Sequence, residues 1–156
     1  MRRKNFLLLL TLIFGLNIVN AQSDYEAGGE FSAGLRVGGE SGVSVKWHFE
    51  NNKTALELLA TSNFFNQENN GFTTNFLIEK LAALSSNHKL SAIIGAGFGA
   101  RWDKSQYGPA GIIGFDWRMF RKLNFQVDWQ PTWYLFGKGG WSNANAAFTM
   151  RYNIFN

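Results

Sequence analysis

The chain has 156 residues with 17 glycines, two prolines, no cysteine and a formal net charge of +4. That length fits one domain, and the missing cysteines exclude disulfide stapling and a lipoprotein-type anchor. Phe and Trp (15 and 6) outnumber Met (3), which favours extended structure over helix.

The opening stretch, MRRKNFLLLLTLIFGLNIVNA, joins a basic start (Arg2, Arg3, Lys4) to an apolar run from Phe6 to Val19 and a small-residue pattern at Val19-Asn20-Ala21. This is the layout of a secretory signal, and the run falls short of the roughly 20 residues a spanning helix needs. Residues 1–21 are predicted to be a signal peptide for Sec export, and residues 22–156 the mature domain. Without Arg2, Arg3 and Lys4, 12 basic residues face 11 acidic ones. No basic patch remains to suggest a nucleic-acid partner.

The mature chain alternates apolar and polar residues in segments separated by turn-type clusters. In order they are FSAGLRV (31–37), GVSVKWHF (42–49), LELLATSNF (56–64), FTTNFLIEK (72–80), KLSAIIGAGFGARW (89–102), GIIGFDWRM (111–119), LNFQVDWQPTWYL (123–135) and AAFTMRYNI (146–154). The third and fourth alternate poorly, through Leu58-Leu59 and Phe76-Leu77-Ile78. Eight strands of about 9–11 residues leave room for hairpin turns and none for crossover helices. The predicted fold is all-β, an eight-stranded antiparallel up-and-down barrel without a free edge. Pro131 cannot donate to the ladder, so a bulge or an unpaired N–H position is expected around Trp129 to Trp133.

Which face meets water is decided by glycine. Gly34, Gly42, Gly95, Gly97, Gly99 and Gly114 share the polar face. On a solvated surface they would only weaken the strands, whereas inside a narrow barrel they make room for Arg and Gln side chains from the opposite wall. The apolar face, with five of the six tryptophans, is too bulky to fill so small an interior. The polar face is therefore predicted to look inward and the apolar face towards lipid. Trp47, Trp102, Trp117, Trp129 and Trp133 are expected at the lipid interface.

GLRVGGESGVSVKWHF, IIGAGFGARWD, YGPAGIIGFDW, LNFQVDWQPTWYLFG and AAFTMRYNIF together resemble small predicted outer-membrane β-barrel proteins of Gram-negative bacteria, similar in size and strand count to OmpA/OmpX-type barrels. The resemblance covers most of the mature chain and implies insertion by the barrel-assembly machinery. The terminal aromatic usual in such chains stands here as Phe155, out of phase with Tyr152 and Ile154. Either Ile154 takes its place in the assembly signal or the last turn bends.

The inward face carries the candidate constellation: Arg36, Lys46, His48, Glu57, Glu79, Arg101, Asp116, Arg118, Asp128 and Arg151, with Gln126, Gln130 and Tyr134. Enclosed charges must pair, because an unpaired one costs several kcal/mol, so a structural network is expected. Asp128 and Arg151 fall on adjacent strands, and His48 is expected near Glu57 or Glu79. No spacing gathers three His or Cys metal ligands, and GAGFGA continues a strand instead of opening a helix, unlike a dinucleotide loop. No catalytic, cofactor-binding or metal residue is predicted. Trp141 in KGGWSN and Tyr107 in DKSQYGP are expected on extracellular loops, available to lipopolysaccharide or a partner. The expected protein is a monomeric, non-enzymatic outer-membrane barrel, structural or surface-interacting, in contact with outer-membrane lipid and lipopolysaccharide. The alternatives are a lipid- or small-ligand-handling barrel of the lipid A modifying type and a soluble lipocalin-like periplasmic binder.

Overall fold

The computed structural model describes residues 29–51, 53–63, 71–87, 89–120, 122–142 and 145–155. The predicted signal peptide and its boundary, Phe64, His88 and Asn156 lie outside these residues.

The described chain is β-structure: β1 (Phe31–Gly38), β2 (Ser41–His48), β3 (Thr54–Ser62), β4 (Phe72–Ala83), β5 (Leu90–Arg101), β6 (Gln106–Phe120), β7 (Leu123–Trp129), β8 (Thr132–Tyr134), β9 (Gly140–Ser142) and β10 (Ala146–Phe155). Each pairs antiparallel with its neighbours, and β1 with β10 and β5 with β6 complete the ring. Since β8 prolongs β7 and β9 leads into β10, the ten strands make eight staves of a closed barrel. Closure follows from backbone chemistry: an open edge facing hydrocarbon would leave N–H and C=O groups without partners.

Pro131 interrupts the seventh stave without adding a residue. Ile113 faces Trp129 and Ala110 faces Thr132, so Gly111 stays opposite Pro131 in an unbroken register. Gly111 N–H donates to Pro131 O at 2.8 Å, while proline has no N–H to return. Of the two expected outcomes, the unpaired donor position is the one adopted. A one-residue slip does occur on the other side of this stave, between the pairs Trp129↔Ala146 and Thr132↔Ser142.

The last strand also bends. Ser32 pairs with Asn153 and Phe31 with Phe155, so the β1–β10 register shifts by one beside the chain end. Phe155 thereby returns to pairing, past Ile154, which is exposed.

Several segment bounds differ from the sequence reading: β4 runs on to Ala83, and the seventh segment divides into β7 and β8. β3 starts at Thr54 and β6 at Gln106, five residues before the predicted 111. The turn between β5 and β6 is therefore tight, with Ser105 at φ 48. Tyr107 sits within β6, half-buried, and Trp141 within β9, so neither stands on a flexible loop.

Burial is inverted relative to a water-soluble protein. Phe115, Val127 and Phe148 are 55, 56 and 46% exposed, while Arg118 and Arg151 are fully buried. Leu35, Phe76, Ile94, Phe98, Ile113 and Met150 continue the outer apolar belt. A contiguous apolar surface of this extent is unstable in water and is what a bilayer solvates.

The glycines of the inner face do more than make room for side chains, as Gly99 does for Asn75 and Thr132. A Cβ at Gly34 or Gly97 would strike the backbone of the neighbouring strand, at Met150 and Phe76, before reaching the opposite wall. These positions let adjacent staves curl tightly against each other.

Candidate functional site: the charged interior

Alternation carries one polar side chain per two residues into the barrel. Arg36, Lys46, His48, Glu57, Glu79, Asp116, Arg118, Asp128 and Arg151 are each at most 3% exposed. Arg101 lies at the end opposite the termini and keeps 14% side-chain exposure.

Arg36 and Asp128 form a forked pair. Arg36 Nη1 donates to Asp128 Oδ2 at 2.8 Å and Nη2 to Asp128 Oδ1 at 2.7 Å. Such bidentate geometry is the strong form of this interaction. Arg36 reaches Thr149 Oγ1 as well.

Lys46 Nζ spends its three protons on Glu79 Oε2 (2.6 Å), Asp116 Oδ2 (2.9 Å) and Gln126 Oε1 (2.7 Å). Arg151 spreads its donors over Ser44 Oγ (2.7 Å), Asn124 Oδ1 (3.0 Å), Gln126 Oε1 (3.0 Å) and Glu57 Oε1.

Gln126 joins these groups. Its Oε1 accepts from both cations, and its Nε2 donates to Glu57 Oε2 (3.2 Å) and Asp128 Oδ2 (2.9 Å). An amide has an acceptor end and a donor end, so Gln126 satisfies two positive and two negative neighbours at once. Its orientation is fixed by them.

The adjacency expected of Asp128 and Arg151 holds, while His48 has another neighbour than expected. Asp128 and Arg151 do occupy adjacent strands, but Arg151 faces Asn124 and Asp128 faces Ala147. Their partners are Glu57 and Arg36, reached across the interior. His48 Nε2 is 3.5 Å from Asp116 Oδ2, not beside Glu57. Arg118 Nε lies 3.9 Å from Asp116 Oδ1.

Arg101 takes a partner the sequence reading missed. Its Nη2 donates to Glu40 Oε1 at 3.1 Å, and its guanidinium lies over the Tyr134 ring, 5.7 Å from the centroid. Thr61 Oγ1 also donates to Glu40, at 3.0 Å. Glu40 stands in the Gly39-Glu40 turn, where no periodicity signals direction, so no pattern could have placed it inside. Asn124, Thr149 and Ser44 were legible: each continues the inward alternation of a strand that already carried a named charge.

The interior is also partly apolar. Leu59, Leu77, Ile93 and Ile112 are buried together with Ala55, Leu81 and Ala110. These explain why the third and fourth segments alternate poorly: Leu59 and Leu77 point in while Leu58, Phe76 and Ile78 point out. This cluster lies on β3 to β6, which also carry Glu57, Glu79 and Asp116; the cations that meet these carboxylates, Lys46 and Arg151, come from the facing strands β2 and β10.

On the exterior, Trp47, Trp102, Trp129 and Trp133 are 47, 55, 42 and 55% exposed, and Trp117 is half-buried. Trp47 lies next to the last residue of β2, on the side of the termini, and packs edge-on against Phe49 with ring centres 4.8 Å apart. Trp102 marks the other end, donating through Nε1 to Thr74 Oγ1 at 3.0 Å and meeting Tyr107 edge-on. Trp133 faces Trp141 across β8 and β9, beside the exposed Leu135 and Phe136. Among the described residues no group of three or more His, Cys, Asp or Glu side chains is placed to hold a metal ion.

Closure, antiparallel order and the outward apolar belt define an eight-stranded outer-membrane-type β-barrel. Comparison with solved structures agrees. The N-terminal β-barrel domain of Pseudomonas aeruginosa OprF superposes with a TM-score of 0.58 at 14% identity, covering 80% of this chain and 96% of that domain. A de novo designed transmembrane β-barrel gives a TM-score of 0.55 at 15% identity, covering 82% of this chain and 98% of the design. At these identities the likeness is one of fold. No family model and no curated protein matches the sequence.

Proposed function

We propose that this protein is a non-enzymatic integral outer-membrane barrel whose interior is closed by its own side chains, with a structural or surface-interaction role. The observation that carries the reading is the multiple engagement of three buried cations by groups of the interior itself. Lys46 uses all three donors internally, and Arg36 and Arg151 are each held at several atoms. Held in this way, Lys46, Arg36 and Arg151 are committed to partners within the barrel, and side chains filling an eight-stranded barrel obstruct a continuous water path.

The outward belt of Phe, Ile and Leu supports residence in the membrane, and the N-terminal signal supports export to it. The end that carries both termini then faces the periplasm. His48 is buried at that end beside Asp116, away from the rim where an outer-leaflet lipid would be modified. The alternative of a soluble binder needs the apolar side chains inside, and their placement opposes it.

Three measurements test the reading. Fractionation should place the protein in the detergent-requiring outer-membrane pool, and a soluble periplasmic pool would refute the membrane role. In planar bilayers the purified protein should give no sustained open-channel current. Lipid A mass spectra of a deletion strain should match the parent, since a changed acyl pattern would mean an enzyme.

A further inference from the structure

We propose that the outer wall over β4, β5 and β6 carries a binding groove for one anionic glycerophospholipid of the leaflet at the terminus-bearing end. This rests on the membrane reading above and adds a defined site to it.

The register shows how the groove arises. Lys80, Ile94 and Ile113 lie side by side on the outer face, and the next outward row is Ala82, Ala92 and Phe115. Elsewhere on the wall such rows are filled by pairs like Leu58–Phe76 and Phe76–Phe98. Two adjacent alanines on neighbouring staves leave a depression of about 500 Å³ between Lys80 and Phe115. Its walls are almost wholly apolar, so the occupant is hydrocarbon: in a bilayer, the acyl chain of a lipid.

Lys80 specifies which lipid. It is exposed, and it is the charged residue of the lining. Its Nζ donates to Thr54 Oγ1 at 3.0 Å, which uses one of three protons and holds the ammonium beside the β2–β3 turn. Among the described residues Lys80 forms no ion pair. A lysine on a lipid-facing wall is costly unless it reaches the interface and an anion there. Lys53, also exposed, adjoins the groove: its carbonyl accepts from the N–H of Leu81 at 2.9 Å. Two ammonium groups at the terminus-bearing end of an acyl-sized depression complement a phosphodiester headgroup whose chain crosses Ala92 towards Ile94 and Ile113, away from that end.

The test is native mass spectrometry of the full mature protein released from detergent, with dioleoyl-phosphatidylglycerol and dioleoyl-phosphatidylcholine as probes. The expected result is one retained phosphatidylglycerol and at least about 5-fold less phosphatidylcholine, the factor equivalent to the ≈ 1 kcal/mol of one lysine at an anionic surface. Lys80→Gln should reduce the phosphatidylglycerol excess, and Lys80→Gln combined with Lys53→Gln should bring it to the phosphatidylcholine level. Ala92→Leu should abolish both adducts, and Ala82→Leu replaces it if that variant does not fold. A heat-modifiable gel shift verifies folding in each case. Equal retention of the two lipids, no retention of either, or an adduct that survives the filled groove would overturn the proposal. So would a dimer that disappears on filling, which would make a second copy the occupant. Failure of the membrane reading is a different result: a wild-type chain that stays soluble without detergent.

Discussion

Gln126 shows how much depends on single atoms inside this barrel. Its amide separates two carboxylates from each other while bridging two cations. Gln126→Glu would replace two donors with a third carboxylate beside Glu57 and Asp128. The expected consequence is a loss of about 3 kcal/mol or more, read as a lower unfolding temperature in detergent. Asp128→Ala strands the Arg36 guanidinium, and Arg151→Ala strands Glu57. Each should cost about 3–5 kcal/mol, the usual range when one partner of a buried pair is removed. If both variants melted with the parent protein, the interior ions would contribute nothing to stability, and the network interpretation would be abandoned.

At the scale of the strand, two residues set how the staves meet. Gly97 faces the carbonyl of Phe76, leaving no space for a Cβ. Gly97→Val should prevent closure, seen as loss of the folded band that runs differently from the heated protein on gels. Pro131 acts in the opposite sense. It keeps register with Gly111 but supplies no donor. Pro131→Ala restores an N–H facing the Gly111 carbonyl and should stabilise the barrel by about 1 kcal/mol, the net value of one hydrogen bond. A destabilised Pro131→Ala variant would mean that the proline's fixed backbone angle, not its missing donor, governs this stave. The alternation of AAFTMRYNI or LNFQVDW made such strands legible, because each has one purely apolar face. LELLATS and FTTNFLIEK were less so. Their inward faces carry Leu59 and Leu77 among polar residues, and a pattern apolar on both sides loses its period.

For the whole molecule, the fold places ions inside and hydrocarbon-loving side chains outside. Its stability should therefore respond weakly to ionic strength, since enclosed pairs are screened far less than exposed ones. Unfolding temperatures measured in about 0.1 M and about 1 M salt should nearly coincide, and a steep fall with salt would mean that water reaches the pairs. The exterior is uneven as well. Trp102, Trp133, Leu135, Phe136 and Trp141 gather on the β5–β9 side at the end opposite the termini, whereas β1 and β2 present Val37 and Val43 there. The two ends of the barrel thus offer different surfaces to their surroundings.

The sequence by itself determined the eight-stave order, the inward set of charges and the outward belt. These follow from period-two alternation, glycine placement and turn chemistry, all local to a few residues. It did not determine who pairs with whom. Arg36 and Asp128 are 92 residues apart and Arg151 and Glu57 are 94 apart, so only ring closure and register bring them together. The same holds for Glu40, turned in from a hairpin to meet Arg101, and for the alanine-floored groove, which exists only where neighbouring staves align Ala82 with Ala92. Alternation says which side a residue faces, but its height and neighbours around the barrel depend on the stagger of every strand between.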